Sequence, residues 1–157
     1  MRTPTFTKVL RRIERLLAGG LNYVVTLDVK VLEPSGEELS WPEVVRRCYP
    51  ESEPHTAKVR QVPLEEMKAE IDSSLGYEGD EGAGPRLTAA KRKQLGEELL
   101  PAFWSELEAL LSLRDTDIYE YPSDKGLPGY TVFWFYAYVL HDRKQGRWIV
   151  LMGSSSD

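Results

Sequence analysis

Hydrophobic and polar positions alternate most cleanly between residues 21 and 32. Leu21, Tyr23, Val25, Leu27, Val29 and Val31 share one face of an extended chain, and Asn22, Val24, Thr26, Asp28, Lys30 and Leu32 share the other. Successive strand side chains point to opposite sides, so this pattern predicts a long strand with one buried and one partly solvated face. Pro34-Ser35-Gly36 closes it with a turn. A second extended signal runs from Tyr130 to Leu140, is interrupted by the polar hexamer His141–Gly146, and resumes at residues 147–152. Two β-branched and aromatic runs around a short Gly-containing connector predict an antiparallel hairpin. Tyr130, Val132, Trp134, Tyr136, Tyr138 and Leu140 lie on one side of its first strand, and Thr131, Phe133, Phe135, Ala137 and Val139 on the other. Neither side is polar, so each needs cover, from the chain's own helices or from a partner.

Helical spacing appears in four places. Residues 5–18 carry Val9, Ile13, Leu16 and Leu17 as an apolar stripe, ended by Gly19-Gly20. Pro42 after Ser40-Trp41 predicts a short helix over 42–48, stopped by Tyr49-Pro50 and Pro54. Leu64, Met67 and Ile71 mark a helix over 64–74. Leu95, Leu99, Phe103, Leu107 and Leu110 mark a long one over 88–113, with Thr88 as N-cap. Pro101 falls inside it and should kink or split it. Short strands are predicted at 56–62 and 117–121. The stretch 76–85 holds four glycines, a proline and three acids, a composition that predicts a mobile acidic loop.

Strong strands follow one another without a βαβ rhythm. The expectation is a single α+β domain. Its mainly antiparallel, twisted sheet (strands near 21–32, 117–121, 130–140 and 147–152) is packed by the N-terminal helix and the proline-kinked helix near 88–113.

Composition narrows the function. The chain has 157 residues, 41% hydrophobic and 29% charged, with a formal charge of −5. That balance weighs against a general nucleic-acid binder, which shows a basic face. Cys48 is the one cysteine, so no internal disulfide forms and a cytoplasmic location is expected. Leu10 is followed by Arg11, Arg12, Glu14 and Arg15, which is no signal-peptide core. The apolar run at 130–140 is too short to span a membrane as a helix.

Candidate chemistry is sparse. His55, His141 and Cys48 lack the spacing of a zinc site, and Glu78-Gly79-Asp80-Glu81 lacks the ligand pattern of a calcium loop. No metal or cofactor is expected. His141-Asp142 suggests a catalytic pair but falls at the predicted hairpin turn, where solvated polar residues belong. Arg86, Lys91, Arg92 and Lys93 cluster at the start of the long helix, where they oppose its dipole unless an anion or nearby acids compensate. Between Leu64 and Gly82 the acids Glu65, Glu66, Glu70, Asp72, Glu78, Asp80 and Glu81 face Lys68 alone. Such a surface speeds encounter with a basic partner. Trp134, Tyr136 and Tyr138 could line an interface, because aromatic side chains bury large areas and keep a polar tip.

The leading expectation is therefore a non-catalytic cytosolic interaction protein of immunity, inhibitor or adaptor type. It would use the acidic residues, the aromatic face, or both, and an open sheet face could also pair two copies. One alternative is a small-ligand-binding domain or enzyme, with a pocket between sheet and long helix served by Tyr23, Tyr136, Tyr138 and Asp28. The other is anion or nucleic-acid binding through Arg86, Lys91, Arg92 and Lys93.

Overall fold

A computed structural model describes residues 3–19, 22–79 and 83–157. The elements run α1 (Thr3–Leu17), β1 (Val24–Leu32), α2 (Trp41–Cys48), β2 (Arg60–Gln61), α3 (Leu64–Leu75), α4 (Ala89–Gln94), α5 (Leu100–Leu110), β3 (Thr116–Glu120), β4 (Trp134–Asp142) and β5 (Arg147–Ser156). The five strands form one antiparallel sheet in the order β1-β5-β4-β3-β2. The fold is α+β, as the sequence predicts. Among the described residues no helix is long and apolar enough to cross a membrane.

Both faces of the sheet are filled by the chain itself. On one side Tyr136, Tyr138, Leu140, Ile149, Leu151, Val25, Leu27 and Val29 pack against Phe6, Leu10 and Ile13 of α1, Met67 and Ile71 of α3, and Phe103 and Leu107 of α5. On the other, Ala137, Val139, Val150 and Met152 pack under Val44 and Val45 of α2, with Tyr49, Tyr121 and Leu127. The hairpin has no polar face because it has no solvated face. Of the two sources of cover that the sequence left open, the chain's own helices supply it on both faces. Gly153 permits the tightest contact, since a Cβ there would lie 2.5 Å from the Tyr136 ring and 2.8 Å from Leu27.

Several boundaries differ from expectation. The strand predicted at 56–62 shrinks to Arg60–Gln61, because Pro54–Thr56 form a 3-10 turn just before it. Pro101 does not split the long helix. A π-helical stretch, Leu95–Leu99, joins α4 to α5, and Pro101 sits in the first turn beyond it. A widened turn there accommodates a residue that has no N–H to donate. The helix ends at Leu110, and a 3-10 turn at Leu113–Asp115 leads into β3. β4 begins at Trp134, so Tyr130 and Val132 stay outside the sheet and are exposed. β5 continues to Ser156, with Ser154 and Ser155 buried between β1 and β4.

His141 and Asp142 lie in β4 rather than in a solvated turn. His141 stacks on Trp148 with ring centroids 4.0 Å apart. Asp142 is fully buried and holds the turn together. One oxygen accepts from the Lys144 N–H at 2.9 Å and the Gln145 N–H at 3.1 Å, and the other from the Ser112 N–H at 2.9 Å. The 76–85 loop is described on both flanks, where Gly79 and Gly84 touch so closely that a Cβ on Gly84 would lie 2.5 Å from the Gly79 Cα. Asp80 and Glu81 lie outside the described residues.

Candidate functional site

The acidic residues are put to different uses. On α3, Glu66 and Glu70 are one helical turn apart and so share a face. Asp72 faces elsewhere and accepts a 2.8 Å hydrogen bond from the Trp104 indole, whose ring also receives the Lys68 ammonium at 5.3 Å. Glu78 pairs with Arg92 at 3.1 Å. Glu65 is exposed and makes no ion pair among the described residues. Asp72 and Glu78 are thereby committed to the chain's own structure, whereas Glu66 and Glu70 meet a third carboxylate.

That carboxylate is Glu120, the last residue of β3. Arg60 of β2 lies opposite it in the sheet register. One guanidinium nitrogen of Arg60 lies 2.6 Å from Glu66 and 3.3 Å from Glu120. Hydrogen bonding and charge attraction from Glu66, followed by attraction to Glu120, raise the Arg60 pKa. Arg60 is thus shared by two of the three carboxylates, and Glu70 makes no ion pair among the described residues. Burial pushes the Glu70 pKa up, and the charges of Glu120 and Glu66 push it the same way against Tyr138 and Arg60.

Beside this group β3 ends early. The Tyr121 N–H donates to the Ala137 carbonyl at 2.8 Å, and Pro122 then turns the chain away. The register places the Phe135 N–H and C=O on the same side of β4, where no strand remains to meet them. The result is a notch of about 230 Å³ between Glu70, Glu120, Pro122 and the β4 backbone from Phe135 to Ala137. The Tyr138 hydroxyl is wholly buried and meets the Glu70 carboxylate in a contact looser than ordinary hydrogen-bond geometry. Burial, then the charge and hydrogen bonding of Glu70, then the charges of Glu120 and Glu66 hold the Tyr138 pKa well above the usual phenol range.

The aromatic residues expected at an interface are placed differently. Tyr136 and Tyr138 are core residues, 1% and 0% exposed. Trp134 is half-buried, stacks on Tyr136 at 6.0 Å, and donates its indole N–H to the Tyr23 hydroxyl at 2.6 Å. Tyrosine side chains fill the space between sheet and helices where a ligand pocket was the alternative.

Two other concave places are built from residues that sequence reading only partly singled out. A groove of about 510 Å³ runs between β1, the end of α2 and the loop after β3. In it the Tyr49 hydroxyl donates to Asp28 at 2.7 Å, and the Lys30 ammonium lies 3.8 Å from the same oxygen. Burial raises the Cys48 thiol there to about 11, so it stays protonated at neutral pH and is a poor nucleophile. The basic cluster is also redistributed. Lys91 joins Arg12 and Arg15 of α1 around a depression of about 300 Å³, while Arg92 turns to Glu78 and Arg86 and Lys93 do not line it. Among the described residues no group of His, Cys, Asp and Glu could hold a metal ion.

The fold itself has solved counterparts. It is similar to that of MAF1 from citrus. One crystal form aligns with a TM-score of 0.63 at 13% identity, covering 94% of this chain and 96% of that one. Another gives 0.64 at 14% identity, covering 93% and 98%. No protein-family model matches the sequence, and no curated protein matches it. At this identity the likeness establishes the arrangement of helices and strands and nothing about residues in the site. Glu120 and Arg60 are the members of the site that sequence reading missed. The signal was slight: one charge at the end of each of two short strands, whose pairing brings them together.

Proposed function

We propose that this protein is a non-catalytic interaction protein, of inhibitor or adaptor kind, that docks a basic segment of another protein along the edge formed by α3 and β3. The observation that carries this reading is the excess of carboxylates there. Arg60 offsets Glu66 and Glu120 alone, Glu70 adds a third carboxylate beside them, and Glu65 on the same helix is exposed. A complementary basic surface would be steered to it and held in register. The chemistry of the remaining reactive groups fits a binding role. The Cys48 thiol stays protonated, His141 is stacked on Trp148, and Asp142 is consumed by backbone donors. A cytosolic setting suits a chain with one half-buried cysteine.

The test is capture of a partner from cell lysate by the wild-type protein and by a Glu65→Lys/Glu70→Gln variant that is at least as thermally stable. A partner retained at low salt, released at high salt and absent with the variant supports the reading. A partner bound equally by both proteins moves the docking surface elsewhere.

A second reading rests on the groove beside β1. Its volume and its Asp28–Tyr49 pair suit a small polar ligand. The anion reading now rests on Arg12, Arg15 and Lys91. It requires oligonucleotide binding that weakens steeply with salt.

A further inference from the structure

Glu70 is half-buried, ionisable and without its own cation, and the space in front of it is shaped. Its neighbours differ in what they still offer. Arg60 spends its guanidinium on Glu66 and Glu120, so Glu70, which meets the Tyr138 hydroxyl, keeps lone pairs for a newcomer. Glu120 and Phe135, from β3 and β4, line the same notch. The buried Tyr138 hydroxyl is the internal partner of Glu70, in a contact looser than ordinary hydrogen-bond geometry. Pro122 and Phe135 supply apolar wall.

Two carboxylates carried by different elements, Glu70 on α3 and Glu120 on β3, suit the three donors of an ammonium better than a flat guanidinium fork, which wants two parallel acceptors on one carboxylate. We propose that this notch is a recognition pocket for a primary ammonium, the end of a lysine side chain presented by an extended segment of another protein. This deepens the reading above and rests on it for the source of the lysine. A volume of about 230 Å³ accommodates an alkylammonium side chain and little more. The extended segment is favoured because the β3–β4 ladder stops short of Phe135, which lines the pocket on the side where an added strand would pair. The ammonium neutralises Glu70, and the Tyr138 hydroxyl then donates to an ionised carboxylate.

The experiment is an NMR titration of the full-length, isotope-labelled protein. The probes are N-acetyl-lysine methylamide, its norleucine counterpart, its arginine counterpart, butylammonium, and a short extended peptide with one central lysine. The expected result is saturable shifts at Phe135 and at the Glu70 side-chain carboxyl with the lysine probe. The norleucine probe should give none, and the arginine probe at least tenfold weaker binding. The lysine peptide should bind at least tenfold more tightly than butylammonium, and Glu70→Gln should abolish the shifts while remaining folded. Equal binding of norleucine, persistence in Glu70→Gln, or shifts mapping away from Phe135 would each overturn the pocket. Butylammonium binding as tightly as the peptide would overturn the extended-segment source. The two readings separate cleanly. Lysine binding at the notch with no captured partner supports the pocket and removes its physiological source. A captured partner lost on Glu65→Lys, from a protein blind to the lysine probes, keeps the surface and removes the pocket.

Discussion

The Glu14 carboxylate accepts the Leu27 main-chain N–H at 2.8 Å, joining α1 to the outer edge of β1. Arg11, itself paired with Glu14, donates to the Leu27 carbonyl at 2.9 Å. Together the two side chains occupy the donor and acceptor that a neighbouring strand would use, at the middle of a nine-residue edge strand. Unpaired edges invite strand addition from other molecules, and proteins commonly block them. Replacing Glu14 by Ala should cost about 1–3 kcal/mol, the usual penalty for leaving a partly buried donor unsatisfied. It should also promote self-association. Urea unfolding and light scattering over a concentration series report the two effects. A monomeric variant of unchanged stability would show that the contact does not protect the edge.

Asp142 should dominate part of the acid sensitivity. Burial alone would raise its pKa, but the Ser112, Gln145 and Lys144 N–H groups and the nearby Arg147 outweigh it, so the carboxyl is held below its ordinary value. A carboxyl depressed on folding stabilises the protein above its unfolded-state pKa, and that contribution is lost as pH falls through the folded-state pKa. Asp142→Ala should cost about 3 kcal/mol at pH 7 by stranding backbone donors. It should also flatten the loss of stability from about pH 4 downward. Equal acid limbs in wild type and variant, measured by denaturant midpoints, would assign the sensitivity to another group.

Glu70 works in the opposite sense. Its pKa is raised by burial and by the neighbouring carboxylates. The folded state therefore holds this proton more tightly than the unfolded chain, and stability declines as pH rises from the unfolded value, about 4.3, to the folded one. Glu70→Gln should raise the melting temperature at pH 7 and leave it almost unchanged at pH 4. The same substitution removes the ligand for the proposed lysine. A lower melting temperature at pH 7 would mean that Glu70 is satisfied internally and not reserved for a partner.

Gly153 tests the packing of the central strands. A methyl group there would meet the Tyr136 ring and Leu27 well inside contact distance. Neither neighbour has space to yield, because both are buried in the main core. Gly153→Ala should cost about 2 kcal/mol or more through overpacking. Adding Tyr136→Phe changes the ring's hydroxyl and not its position, so it should not rescue the variant. Adding Tyr136→Leu should recover part of the loss. Calorimetry on the three proteins decides between them.

Much of the fold was legible from periodicity alone. The stripe Val9, Ile13, Leu16, Leu17 and the alternation from Val25 to Val29 each report one buried face, and each element formed where its pattern lay. The hairpin was equally legible, but what covers it was not. Val44 and Val45 are too few to announce that a two-turn helix would roof the second face of the sheet. His141 and Asp142 were misplaced for a related reason. Polar residues ordinarily mark turns. Here His141 uses its ring as an aromatic surface against Trp148, and Asp142 uses its charge to order the turn from inside. The acidic region was recognisable as a charged stretch. Which of its members were already engaged depended on Trp104, Arg92 and Arg60, partners up to 32 residues away on other elements.

The position of β5 governs the order in which this protein can be assembled. It is the last described strand, yet it lies between β1 and β4 and is paired with both along its length. While a ribosome is still making residues 147–156, β1 has no strand beside it, and α1 can offer only the Arg11–Glu14 contact at Leu27. The helices and the β2-β3-β4 portion can gather early, but β1 stays apart from them until this interior strand emerges. Closure then joins segments more than a hundred residues apart, a contact pattern associated with slow folding. The newborn chain therefore passes through a stage in which Val25, Leu27 and Val29 have no sheet to complete, and chaperone contact at that stage should concentrate on β1.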